Sequence, residues 1–208
     1  RSFPLKDKTE LEDTYPYLLK NKYNEAVFWQ LSFGNITTEE LISQACGYLT
    51  HWKPDLIIVH SGMNDCRPEA FTDFQKYIIS NFSGRFFTYL KKYINNPRLI
   101  KYRKVYRVSP QRFSKSMKKL KMIFNDSKIF WLEICADKSY EISRPGVLSR
   151  INKYNYILKN FYKEDFVEIQ SDLTEKNGFT ADKIHLNING HKIIANKLIE
   201  KITSLNLV

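Results

Sequence analysis

The chain has 208 residues, 43% of them hydrophobic, enough for one domain with its own core, and no apolar run approaches the roughly 18 residues a membrane-crossing helix needs. Its net charge of +11 is concentrated: 14 lysines and arginines and no acidic residue lie between Gln75 and Asn125, so the remainder, +11 less +14, carries −3. Three widely spaced cysteines, Cys46, Cys66 and Cys135, argue against a disulfide framework and fit a reducing, cytoplasmic compartment.

Asp13-Thr14-Tyr15-Pro16 predicts a helix start, with Asp13 or Thr14 as the cap and proline in the first turn. Ala26 to Leu31 reads as a strand that delivers Gly34 to a turn. Thr37-Thr38-Glu39-Glu40 is a capping box opening a helix through Leu41, Ile42, Cys46 and Leu49. Leu56-Ile57-Ile58-Val59 predicts a strand buried on both faces. Two helices are expected around Phe71–Ile79 and Phe86–Ile94, and a third begins at Ser109-Pro110-Gln111, with Phe113, Met117, Leu120, Ile123 and Phe124 on one face. Lys128–Ile134 and Phe166–Ile169 read as strands, and Val147–Phe161 as the helix between them. A long loop from Asp172 to Asp182 follows, and then a closing helix after Asn189-Gly190-His191.

The basic residues between Gln75 and Asn125 alternate with Phe86, Phe87, Tyr89, Tyr93, Tyr102, Tyr106 and Phe113. Such a surface suits a polyanion, with cations for its charge and aromatic faces for sugars or bases; equally, the lysines can be solvated helix faces and the aromatics core. Arg67, Arg103 and Arg107 are the candidate substrate-binding cations.

Two stretches carry chemistry. In Asp182-Lys183-Ile184-His185 a carboxylate stands three residues from an imidazole, a spacing that lets one loop hold a general base and the group that fixes its tautomer, although a structural loop histidine has the same appearance. In Gly62-Met63-Asn64-Asp65, polar groups follow a buried strand, where open α/β sheets bind ligands. Asp65 is expected to brace this loop. Cys66 beside it is either a nucleophile or a small packed residue, and the second has the simpler physics. His51 and His60 are expected to be structural and His191 to sit at a helix start. No His-Glu-x-x-His or Cys-x-x-Cys spacing and no Gly-rich phosphate loop occurs, so neither a metal nor another cofactor is inferred.

Gly62-x-Asn64-Asp65 together with Asp182-x-x-His185 resembles the SGNH branch of the GDSL hydrolases. The resemblance implies an α/β, three-layer α/β/α flavodoxin-like sandwich with a central, mostly parallel five-stranded sheet. The whole of 1–208 would then be one such domain, with 75–125 as a basic helical elaboration. It implies a serine esterase in which His185 and Asp182 complete the triad and Gly34 and Asn64 supply oxyanion-hole donors. The family opens with a strand ending in Gly-Asp-Ser. Counting back from Gly34 puts that serine just before Arg1, with Pro4 four residues after it, so the first strand and the nucleophile are expected upstream of residue 1, and Ser2 is the alternative. The expected substrate is an acyl, first of all acetyl, ester on a carbohydrate, acidic by the charge of the basic segment. The resemblance also allows an O-acetyltransferase, or a lipid or thioester acyl hydrolase that docks on a membrane surface. A non-enzymatic polyanion binder, with nucleic acid as its test ligand, is the alternative from another class.

Overall fold

The computed structural model describes residues 9–81 and 93–205. Among these, three strands form one sheet in the order β1-β2-β3: β1 is Leu56–Val59, β2 is Lys128–Leu132 and β3 is Phe166–Val167. β1 and β2 are parallel, with Leu56 opposite Lys128 and Val59 opposite Trp131. The helices are α1 (Tyr15–Lys22), α2 (Thr38–Tyr48), α3 (Met63–Cys66), α4 (Asp73–Asn81), α5 (Pro97–Arg103), α6 (Pro110–Ile123), α7 (Tyr140–Ser143), α8 (Val147–Tyr162), α9 (Gln170–Glu175) and α10 (Ile188–Ser204). The α/β class and the parallel pairing are as the sequence implies; of the four strands expected within the chain, three are present among the described residues.

Four expectations need correction. Ala26 to Leu31 forms no strand, and Val27 is 81% and Trp29 62% exposed. Strand propensity describes fit to a pleated neighbour, and no ladder pairing reaches this stretch among the described residues. β1 is half-buried rather than enclosed, with only Val59 fully inside, because it lies at the edge of the described sheet. Asp172 sits inside α9 rather than opening a loop, since Leu173 is buried and Lys197 pairs with the Asp172 carboxylate at 2.7 Å. The closing helix begins at Ile188, so Asn189-Gly190-His191 lies in its first turn, capped by Asn187, whose side chain accepts from Gly190 N. The helix expected around Phe86–Ile94 falls largely outside the described residues.

The chain divides into two compact units. One comprises the described residues of Arg1–Gly34, Cys135–Asp137 and Val167–Val208. Its core is Leu19 of α1 with Leu173, Ile194, Leu198 and Ile202 of α9 and α10. The Tyr15 ring lies 5.8 Å from that of His191, whose Nδ1 accepts from Tyr15 N at 3.3 Å, so the buried imidazole ties α10 to the start of α1. A side chain at Gly190 would collide with the Gly178 carbonyl; two backbones approach here as only glycine permits.

The other unit comprises Asn35–Ile134 and Lys138–Phe166. β2 is its spine, with Phe130, Trp131 and Leu132 fully buried. The Phe113 ring of α6 lies 4.8 Å from Tyr154 of α8, and Trp131 lies 5.4 Å from Tyr162, tilted aromatic packing that burial favours. α6 starts as its sequence predicts, with Ser109 accepting from Arg112 N and proline in the first turn. At α2 the capping box is complete: Glu40 accepts from Thr37 N at 2.7 Å.

Candidate active site

The Asp182–His185 loop is a closed turn in the first unit. An antiparallel bridge between Phe179 and Leu186 shuts its base. Across the turn Thr180 N donates to His185 O at 2.8 Å and Lys183 N to Thr180 O at 3.0 Å, with Lys183 left-handed at φ 73. Below it Asn187 Nδ2 binds the carbonyls of Asn177 and Phe179, and from the side Asp137 N donates to Lys183 O at 2.9 Å. These backbone bonds fix the loop's shape.

This turn brings Asp182 and His185 together. Asp182 Oδ2 meets His185 Nδ1, while its Oδ1 accepts from Thr180 Oγ1 at 2.8 Å, His185 N at 3.0 Å and Ile184 N at 3.1 Å. Burial alone would raise this carboxyl, but the donations from the His185 backbone and ring, Thr180 and Ile184 outweigh it and hold the group at about 2. An ionised carboxylate at Nδ1 fixes the tautomer with the proton there and leaves Nε2 as the basic nitrogen. Both side chains are 43% exposed, so a substrate has access to them.

The second stretch is built in the other unit. Gly62 ends the segment after β1 at φ 116, and a side chain there would overlap Ile134. From that turn α3 presents Asn64 and Asp65. Asn64 Nδ2 donates to Ile36 O at 3.0 Å, spending one N–H on the loop that follows Gly34 and leaving the other. Asp65 is fully buried and accepts from Thr38 N at 3.0 Å and Thr38 Oγ1 at 3.0 Å, tying the α3 turn to the start of α2. Desolvation outweighs those donations and raises its carboxyl to about 7. Burial, reinforced by the neighbouring Asp65, pushes the Cys66 thiol far up, which makes it a packed residue and no nucleophile.

Gly34 stands in an open turn where a side chain would touch nothing, and the left-handed conformation falls on Asn35 at φ 58. Ser2 lies outside the described residues. The three candidate arginines all have partners. Arg67 pairs with Glu69 at 2.8 Å and reaches Asn35 Oδ1. Arg107 pairs with Asp73 at 3.1 Å and donates to the Asn35 carbonyl at 3.0 Å. Arg103 donates to Gln75 and lies over the Phe71 ring. His51 and His60 are exposed. Among the described residues no three His, Cys, Asp or Glu side chains converge as a metal site would require. Ile36, Thr38 and Thr180, which hold the two stretches in shape, carry no signal in the sequence; only the capping box at Thr37 points near one of them.

The chain shares its fold, helices around a parallel sheet, with solved structures that include GDSL-family lipases and acylhydrolases. No family model matches its sequence, and no curated protein does. Solved structures do match. A member of the lipolytic G-D-S-L family from Veillonella parvula superposes with a TM-score of 0.61 at 12% identity, covering 96% of this chain and 92% of that one. A carbohydrate acetylesterase family member from Sinorhizobium meliloti gives 0.62 at 14% identity, over 94% and 88%. The acetyl xylan esterase AlAXEase gives 0.59 at 16% identity, over 92% and 91%.

Proposed function

We propose that the protein is a serine ester hydrolase that removes acyl groups, acetyl first, from a carbohydrate. The observation that carries this reading is the Asp182–His185 pair: an ionised carboxylate clamped by four donors, aligned on an accessible imidazole. Names among the structural neighbours, acetyl xylan esterase and carbohydrate acetylesterase, support the acetyl and sugar parts. The acid-free basic stretch from Gln75 to Asn125 supports an acidic glycan.

In the proposed reaction a serine hydroxyl attacks the ester carbonyl while His185 Nε2 takes its proton. The resulting imidazolium is stabilised by Asp182, and the tetrahedral oxyanion is met by amide donors, for which the resemblance to the SGNH branch names Asn64, Gly34 and the serine itself. Collapse expels the sugar alkoxide, which takes the proton back from His185. Water then repeats the sequence on the acyl-serine and releases acetate. The nucleophile belongs to this proposal as the serine preceding Arg1, with Ser2 as the alternative.

Nitrophenyl acetate turnover tests the reading in a chain that includes the residues before Arg1. His185→Ala and Asp182→Asn are expected to lower kcat/KM by about three orders of magnitude or more while leaving the fold intact. Turnover unchanged in both variants removes the triad.

A further inference from the structure

Of the cations in the acid-free stretch, Arg103 is bound to Gln75, Arg107 to Asp73 and Arg112 to Glu39. Arg98 is different. Its guanidinium makes no hydrogen bond, ion pair or ring contact with a described residue, and the same holds for the side chains of Lys101 and Tyr102. At positions i, i+3 and i+4 of α5 these three stand on one face, and Tyr102 is 87% exposed. Beside them lies an open cleft of about 340 Å³ lined by Tyr93, Asn96, Arg98, Leu99 and Tyr102.

The support under this cleft is rigid. Ile100, on the opposite face of α5, is completely buried. Arg144 holds Asn95 at 2.6 Å just before the helix. Just after it, Arg150 donates to the carbonyls of Lys104 and Val105, and Val105 pairs with Glu69 in an antiparallel bridge. Arg150 is itself buried and lies 3.5 Å from the Tyr106 ring centroid. Ordering these anchors is a cost already met in the folded chain, so a ligand meets a preformed surface.

We infer that this cleft binds an acidic sugar residue of a polysaccharide, a uronate, with the Arg98 guanidinium on its carboxylate and the Tyr102 face against the ring. The chemistry matches part by part. A planar guanidinium engages a carboxylate through two parallel hydrogen bonds. A pyranose ring presents C–H bonds, positive at the edge, to the negative face of an aromatic ring. The hollow is shallow and open, with apolar surface beside an unspent fork of donors on Arg98, an arrangement that suits one sugar residue better than a track along a nucleic-acid backbone. The choice of a sugar rests on the carbohydrate esterase reading above.

The test separates the two. A short galacturonate oligosaccharide, carrying no ester, and an uncharged galactan oligosaccharide are titrated calorimetrically into the wild type, His185→Ala, Arg98→Ala, Arg98→Lys and Tyr102→Ala. Saturable binding of the acidic oligosaccharide is expected, preserved in His185→Ala, weakened about tenfold or more in Arg98→Ala and Tyr102→Ala, and only partly restored in Arg98→Lys, which keeps the charge without the fork. The altered side chains are exposed, so unchanged circular dichroism accompanies each loss. Binding undiminished in Arg98→Ala and Tyr102→Ala, or no saturable binding, overturns the inference. So does tighter binding of duplex DNA or phosphatidylserine vesicles that the same substitutions abolish. Ester turnover without this binding defeats the subsite alone, and binding without turnover defeats the esterase reading alone.

Discussion

Asp65→Asn probes the joint that holds the turn carrying Asn64. Asp65 is 0% exposed, and its oxygens accept from Thr38 N and Thr38 Oγ1, while Nδ2 of the adjacent Asn64 donates to Ile36 O. Desolvation raises its pKa from 3.8 to about 7. A folded-state pKa above the unfolded one means that folding takes up a proton between the two values. The associated stability is complete below about pH 4 and is lost as pH rises towards 7. At about 1.4 kcal/mol per unit, a rise of roughly three units makes that loss on the order of 4 kcal/mol. Asparagine keeps an acceptor for Thr38 and cannot ionise. Denaturant unfolding of both proteins at intervals from pH 4 to 8 is the assay. The wild type is expected to lose stability relative to Asp65→Asn across this window, and the variant to be the more stable at pH 8. Parallel pH profiles would refute the reasoning, since Asp65 would then be as ionised folded as unfolded.

Gly62→Ala forces a left-handed backbone on alanine and drives its methyl into Ile134; a loss of about 2 kcal/mol or more is expected by thermal or denaturant unfolding. Asn64→Ala removes both the bond to Ile36 O and the proposed oxyanion donor. A fall in kcat of about a hundredfold with little change in KM is expected in steady-state ester hydrolysis.

What the sequence carries depends on how far apart the interacting residues are. The Asp182–His185 pair is legible because both partners lie within one turn, as does the capping box from Thr37 to Glu40. Leu56–Val59 and the faces of α6 and α8 are legible because hydrophobic period and length settle them locally. The bonds from Asn64 to Ile36 and from Asp65 to Thr38 cross 28 and 27 residues, and only the folded chain shows them. Arg67 and Arg107 look in the sequence like cations awaiting a substrate, whereas their charges meet Glu69 and Asp73. Ala26 to Leu31 has the composition of a strand, but a strand exists only where a neighbour pairs with it.

The nucleophile offers the most direct test of the central claim, that Asp182 and His185 activate a serine. A chain that includes the residues preceding Arg1 is treated with a serine-reactive fluorophosphonate, and the adduct is located by peptide mass mapping. The account predicts one stoichiometric adduct, on a serine at or before Ser2, forming at least a hundredfold more slowly in His185→Ala. Ester hydrolysis that survives the reagent, or an adduct that forms equally fast without His185, would contradict it.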